Sequence, residues 1–194
     1  YVASDITTIA AKVAGYVDAV EAEDNQPVKK GDVLVRLENR DFEARRYLSQ
    51  AMSQARRLAL AQIEAQMRLQ GAQIRAAGAY VSAAAADTER AKQDFERAQK
   101  LVKNEFASRQ KLDQTQADSD RTAAQLKRAH AGVDAAQKQV GVLQAGLAQA
   151  RALAEEAEAL LELAQIDLDN TIIRAPVAGI VGNRSVQNGE YVRP

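Results

Sequence analysis

The chain has 194 residues, 46% of them hydrophobic but only 4% aromatic, and its 26 Lys and Arg are balanced by 26 Asp and Glu. Abundant alanine with few rings makes a poor thick core and a good thin seam between helices, and a zero net charge gives no reason to expect nucleic acid or an anionic membrane surface as partner. Without cysteine, disulfides and thiolate metal sites are excluded, and no apolar run reaches the length of about 18 residues that a membrane span needs.

The chain opens on YVASDITTIAAKVAGYV, with no initiator Met and no signal peptide, and closes on GEYVRP. It reads as a segment cut from a longer protein, with any membrane anchor outside it. Residues 7–38 read as β structure. Apolar and polar residues alternate over Val13, Gly15 and Val17 and continue through Val20, Val28, Leu34 and Leu37. Asp24-Asn25, Gln26-Pro27 and Lys30-Gly31-Asp32 are turn signals between short strands.

Residues 41–169 contain almost no helix breaker. A heptad runs through Leu60, Met67, Ile74, Val81, Thr88, Phe95 and Val102, with Ile63, Ala77, Ala84, Ala91 and Ala98 three residues after most of these. A second heptad runs through Leu112, Ser119, Leu126, Val133, Val140, Leu147, Ala154, Leu161 and Leu168. Its companions are Thr115, Thr122, Ala129, Ala136, Leu143, Ala150, Ala157 and Ala164. Spacing of seven with charged and Gln-rich remaining faces is coiled-coil patterning, and the small residues let two helices approach closely. Polar entries at Gln70, Ser119 and Thr122 weaken the seam without breaking it.

Between the two registers the pattern stumbles at residues 104–107, in RAQKLVKNEFASRQKL. Asp41 to Lys103 is 63 residues and Ser108 to Asp169 is 62, so the arms are nearly equal. Equal arms suit an antiparallel hairpin of about 90 Å, at a rise of about 1.5 Å per residue, better than one continuous rod. Ser108 is the expected N-cap of the returning helix, although Lys111 is not the Glu or Gln that completes a capping box. Residues 171–194 return to strand-like runs broken by Pro176, Gly179, Gly182 and Asn188-Gly189. Neither β piece has enough strands to bury a sheet face alone, so the two are expected to pair with each other. The fold class is therefore α+β: a small β domain made from two sequence halves, split by a long antiparallel coiled-coil hairpin.

Catalytic and metal chemistry find little support. His130 is the only histidine and has no companion Cys or carboxylate cluster, so neither a metal site nor a nucleophile–base pair is expected. Met52 and Met67 read as core fillers. The group Glu155, Glu156, Glu158 and Glu162 reads as a solvated helix face, and the glycines of GIVGNRSVQNG fall at strand and turn positions rather than in a phosphate loop.

The phrases VAGYV, DNQPVKKGDVLVRL and ENRDFEA, and then NTIIRAPVAGIV with GNRSVQNGEYVRP, resemble the two halves of the lipoyl-like domain of periplasmic adaptors. These are the HlyD-like membrane fusion proteins of tripartite efflux and secretion systems, and the order half, hairpin, half is similar to theirs. Within the family the wording is similar to the EmrA-like branch, which serves major-facilitator drug pumps. The resemblance implies a non-enzymatic adaptor in the periplasm of a Gram-negative bacterium, anchored to the inner membrane in the full-length protein. It further implies a TolC-like outer-membrane channel and an inner-membrane transporter as partners, and self-association into a trimeric or hexameric ring. The family's β-barrel and anchor regions are absent from this stretch. Many members carry an Arg, a Leu four residues on and a Ser seven after that at the hairpin tip, where they contact the channel. Arg97, Leu101 and Ser108 stand at those spacings. Phe106 is added from its position among polar neighbours, not from the family pattern. Gly15, Gly31, Asp32, Pro176, Gly179 and Gly189 are the expected turn residues of the lipoyl-like domain. True lipoyl and biotinyl domains swing a modified Lys, but VRLENRDF offers Arg40 and Asp41 at that place, so no cofactor is expected. The competing reading from another class is a structural coiled-coil scaffold, which would have no reason to carry complementary β halves at its two ends.

Overall fold

A computed structural model describes residues 7–182 and 184–194; residues 1–6 and Asn183 lie outside the described residues. Strands β1 (Gly15–Val20), β2 (Pro27–Val28) and β3 (Val33–Leu37) precede helix α1 (Arg40–Lys103), and α2 (Arg109–Asp169) is followed by β4 (Ile172–Arg174), β5 (Gly179–Ile180) and β6 (Tyr191–Val192). The described residues form two units. One holds all the strands with the flanking helix stretches, up to Leu58 and from Ala152; the other is Ala59–Arg151.

In the first unit the strands form a four-stranded sheet of order β4-β3-β1-β6 and a two-stranded sheet β2-β5. Each strand that follows α2 pairs antiparallel with one that precedes α1: β4 with β3, β5 with β2, β6 with β1. The two halves complete one another, as short strands require when neither half can bury a face alone. Both ladders on β3 are irregular, with register shifts between Val17 and Ala19 on β1 and between Val33 and Val35 opposite β4. Such bulges increase local twist and curl a small sheet. The core is thin: Ala22, Leu34 and Ala175 are buried, with Val28, Val35 and Val181 packed on them, and Val17 and Leu37 are also buried. Residues 7–14 are not strand, because the alternation around Val13 continues the burial pattern of β1 without a pairing partner.

The joint between α2 and β4 is the tightest point of this unit. Thr171 is 1% exposed; its hydroxyl donates to the Leu168 carbonyl at 2.7 Å and its own carbonyl accepts the Leu37 N–H at 2.8 Å. One residue thus ends the helix and fixes the returning chain on β3. Thr171→Ala should lower stability by about 1–2 kcal/mol, from the lost hydroxyl bond and the small cavity, while Thr171→Val should cost only about 1 kcal/mol. Chemical denaturation midpoints of the two variants measure the difference.

At the other junction, Asp41 and Glu43 lie in the first turn of α1, where carboxylates favour the positive helix end. Asn39 accepts the Glu43 N–H on its carbonyl at 2.8 Å, and its side-chain amide donates to the Glu43 carboxylate at 3.0 Å. Across the helix stretches of this unit, Arg57 pairs with Glu158.

Both heptad rows face the seam. None of their residues is exposed, and Ala98, Thr115, Thr122, Ala150, Ala154 and Ala157 are fully buried. In the second unit, buried Gln70 donates from Nε2 to the Ala136 carbonyl of the facing helix at 2.7 Å. The Thr88 hydroxyl lies 3.1 Å from the Thr122 carbonyl opposite and 2.7 Å from Ala84 O on its own helix. A polar side chain bonded across a seam costs stability relative to a well-packed apolar one but penalises other registers, which would leave it buried without a partner. Met67 is half-buried on the seam; Met52, read from sequence as a core filler, is instead 45% exposed, because its position falls outside the heptad rows.

Candidate functional site

The apex is built by how α1 stops. Glu105 has φ 63°, the left-handed conformation. Its N–H donates to the Val102 carbonyl at 3.1 Å, and the Phe106 N–H donates to the Leu101 carbonyl at 2.8 Å. These two bonds are the Schellman pattern, which satisfies carbonyls that a helix end otherwise leaves open. Glycine usually holds the left-handed position because a Cβ is strained there. Here it is glutamate. Glu105→Gly should therefore stabilise the hairpin by about 0.5–1 kcal/mol, read as a rise in denaturation midpoint.

The same motif sets the exposed side chains. Leu101 and Phe106 occupy the two positions between which a Schellman ending commonly makes an apolar contact. Both stand out to solvent, Leu101 48% and Phe106 81% exposed. Arg97 lies one turn before Leu101, on the same face of α1, and pairs with Asp94 of its own helix. Ser108 is the N-cap of α2: its hydroxyl accepts the Lys111 N–H at 3.3 Å, and its carbonyl accepts the same N–H at 3.1 Å. The structure thus joins Leu101 to Phe106 through one backbone bond, places Arg97 beneath Leu101, and engages Ser108 in holding the turn. The Schellman ending itself was not read from the sequence. Its usual marker is Gly or Asn at the left-handed position, and Asn104 stands one residue too early.

The residues expected at turns of the β domain divide. Gly31 has φ 95° and donates its N–H to the Ala175 carbonyl at 2.8 Å; its own carbonyl accepts from Arg174 at 3.1 Å. Asp32 accepts the Lys29 N–H on its carboxylate at 2.8 Å and the Ala175 N–H on its carbonyl at 2.9 Å. Gly189 has φ 83° and donates to Val17 O at 2.8 Å, beside Asn188, whose side chain accepts the Val20 N–H at 3.0 Å. These turns of one half therefore bind strands of the other. Pro176 lies in the bend between β4 and β5. Gly15 and Gly179 correct the expectation: they lie in strands β1 and β5, not in turns, and neither has a positive φ. Gly15 faces Leu37, whose Cβ would lie 3.7 Å from an added methyl, an ordinary contact distance, so this strand position has room for a side-chain methyl.

His130 is exposed on α2, and among the described residues no group of three His, Cys, Asp or Glu is arranged to hold a metal. Among them, too, no helix is long and apolar enough to cross a membrane.

Comparison with known proteins agrees with this geometry. The barrel-sandwich hybrid domain of RND-type membrane fusion proteins matches residues 5–194. The colistin resistance protein EmrA of Acinetobacter baumannii is 36% identical over 194 residues, which is all of this chain and 55% of that protein. The chain therefore spans about half the length of this curated relative. The solved structure of the periplasmic adaptor protein EmrA superposes with a TM-score of 0.56 at 18% identity, covering 98% of this chain and 69% of that one; the fold is shared. A split β domain whose halves pair around an inserted helical hairpin, matched along nearly its whole length by one domain family, places the chain among the membrane fusion proteins, the adaptor family of efflux and secretion systems.

Proposed function

We propose that this chain is the hairpin-bearing part of a periplasmic adaptor in a tripartite efflux or secretion system. In this reading it links an inner-membrane transporter, of the major-facilitator type that the resemblance to the EmrA-like branch implies, to a TolC-like outer-membrane channel. The full-length protein is anchored to the inner membrane of a Gram-negative cell and packs into a ring of three or six copies. The observation that carries the docking claim is the apex, where two large apolar side chains, Leu101 and Phe106, are held out to solvent by a defined backbone motif. The work is mechanical: the hairpin spans, the seam keeps register, and the apex docks. Introducing a charge at Leu101 and measuring capture of the outer-membrane channel tests it.

A further inference from the structure

Within the unit that holds the strands, one side of the helix pair is left without a use in the fold. On α1, Arg45, Leu48, Met52 and Arg56 recur at spacings of three, four and four, which sets them in one row along the helix. On α2, Glu156, Leu160, Leu163 and Asp167 recur at four, three and four, in a second row. The four apolar side chains are exposed, and Arg45, Arg56, Glu156 and Asp167 have no ion-pair partner among the described residues. Both rows lie on the same side of the helix pair, since Arg45 and Asp167 line one open groove with Asp41 and Phe42. They also lie at one level, because the Arg57–Glu158 pair joins the two helices right beside Arg56 and Glu156. Helical neighbours do not account for these charges. No residue of opposite charge stands three or four positions from Arg56, Glu156 or Asp167, and Arg45 makes no ion pair with Asp41.

We propose that a second copy of the chain packs on this side, with the α1 row of one copy against the α2 row of the other. This rests on the self-association in the proposed ring and makes no use of the apex. The two helix stretches run in opposite directions. A copy rotated about an axis parallel to them, without sliding, therefore brings its α1 row level with the α2 row of its neighbour. Arg45 then meets Asp167, Leu48 meets Leu163, Met52 meets Leu160, and Arg56 meets Glu156. Each row spans 11 residue steps, about 16 Å of helix, so the four pairs align together. Two apolar pairs are closed at each end by opposite charges, as a polar rim closes the centre of a protein interface. The charges choose the occupant. A lipid surface or a partner of one charge sign would match one row and be repelled by the other. The opposite side of the helix pair carries Glu43 and Tyr47 on α1 with Glu155, Glu162 and Asp169 on α2. A second copy there would set anion against anion, which costs affinity.

The test mixes two purified full-length proteins under mild oxidation, one with Leu48→Cys and one with Leu163→Cys, differently tagged and otherwise free of cysteine. A disulfide needs Cα atoms within about 7 Å, so it reports this contact and no looser one. The expected result is a mixed disulfide from the two proteins together and none from either alone. Tyr47→Cys mixed with Glu162→Cys, on the opposite side, should give none. In sedimentation, Arg45→Glu with Arg56→Glu should raise the dissociation constant of self-association about tenfold or more. A second copy carrying Glu156→Arg and Asp167→Arg should restore it, and circular dichroism establishes that every variant stays folded. Self-association untouched by the charge reversals, without the mixed disulfide, overturns this surface and leaves the ring intact. A native protein that stays monomeric at every concentration overturns self-association itself. Protection of the cysteine at position 48 from a maleimide in the monomer assigns this side to another part of the same chain and overturns the proposal. Docking of the apex stands or falls separately, on capture of the channel.

Discussion

Leu101→Asp should abolish capture of the outer-membrane channel while leaving the hairpin folded. Leu101 is 48% exposed and outside the seam, so a carboxylate there meets water in the free protein and costs the fold little. In a docked apex the same position is desolvated. Losing an apolar anchor and burying an unpaired charge should cost about 2–4 kcal/mol, or roughly 30- to 1000-fold in affinity. Repetition of that loss in each copy of a ring multiplies it. Export or drug resistance conferred by the full-length protein should fall to the level of a deletion, with helicity and unfolding temperature unchanged. Full activity would remove Leu101 from the interface.

Ala98→Leu should impair docking from inside the hairpin. Ala98 is 4% exposed, the buried seam residue closest to the apex on α1. Its methyl lets the two helices approach closely, and a leucine must push them apart or adopt a strained rotamer, at about 1–3 kcal/mol. The displacement falls directly below Leu101 and the Schellman turn. Docking should weaken although every exposed apex residue is intact, and thermal unfolding should shift downward. The pairing of lost stability with lost docking separates this variant from Leu101→Asp, which should show only the second.

The helical part was the most legible in sequence because one physical period governs it. Every residue of both heptad rows is buried or half-buried, from Leu60 to Val102 and from Leu112 to Leu168, including the polar Thr88, Thr115 and Ser119. Seven-residue spacing survives substitution by Thr or Ser because position on the helix, not side-chain polarity, decides which face meets the partner. That the β halves would pair was legible for a similar reason, since neither could bury a face alone. Glycine was the less dependable guide. It marked turns correctly at Gly31 and Gly189, where φ is positive, but at Gly15 and Gly179 the residue lies in a strand and its meaning depends on neighbours far along the chain. Thr171 carried no signal at all. Its burial follows from Leu37 and Leu168 meeting at one joint, which no local window contains. At the apex, the resemblance to the adaptor family singled out Arg97, Leu101 and Ser108, while the left-handed Glu105 of the turn between Leu101 and Ser108 was hidden by a residue type that rarely adopts it.

The seam of the second unit ends at the apex, and the central claim is that this apex meets an outer-membrane channel. A photoreactive amino acid in place of Lys103, in the full-length protein in living cells, tests it most directly, with the same residue at exposed His130 as control. A covalent adduct with the outer-membrane channel from position 103 and none from position 130 is the predicted result. Adducts from position 103 only with other copies of the protein, or none, would contradict it.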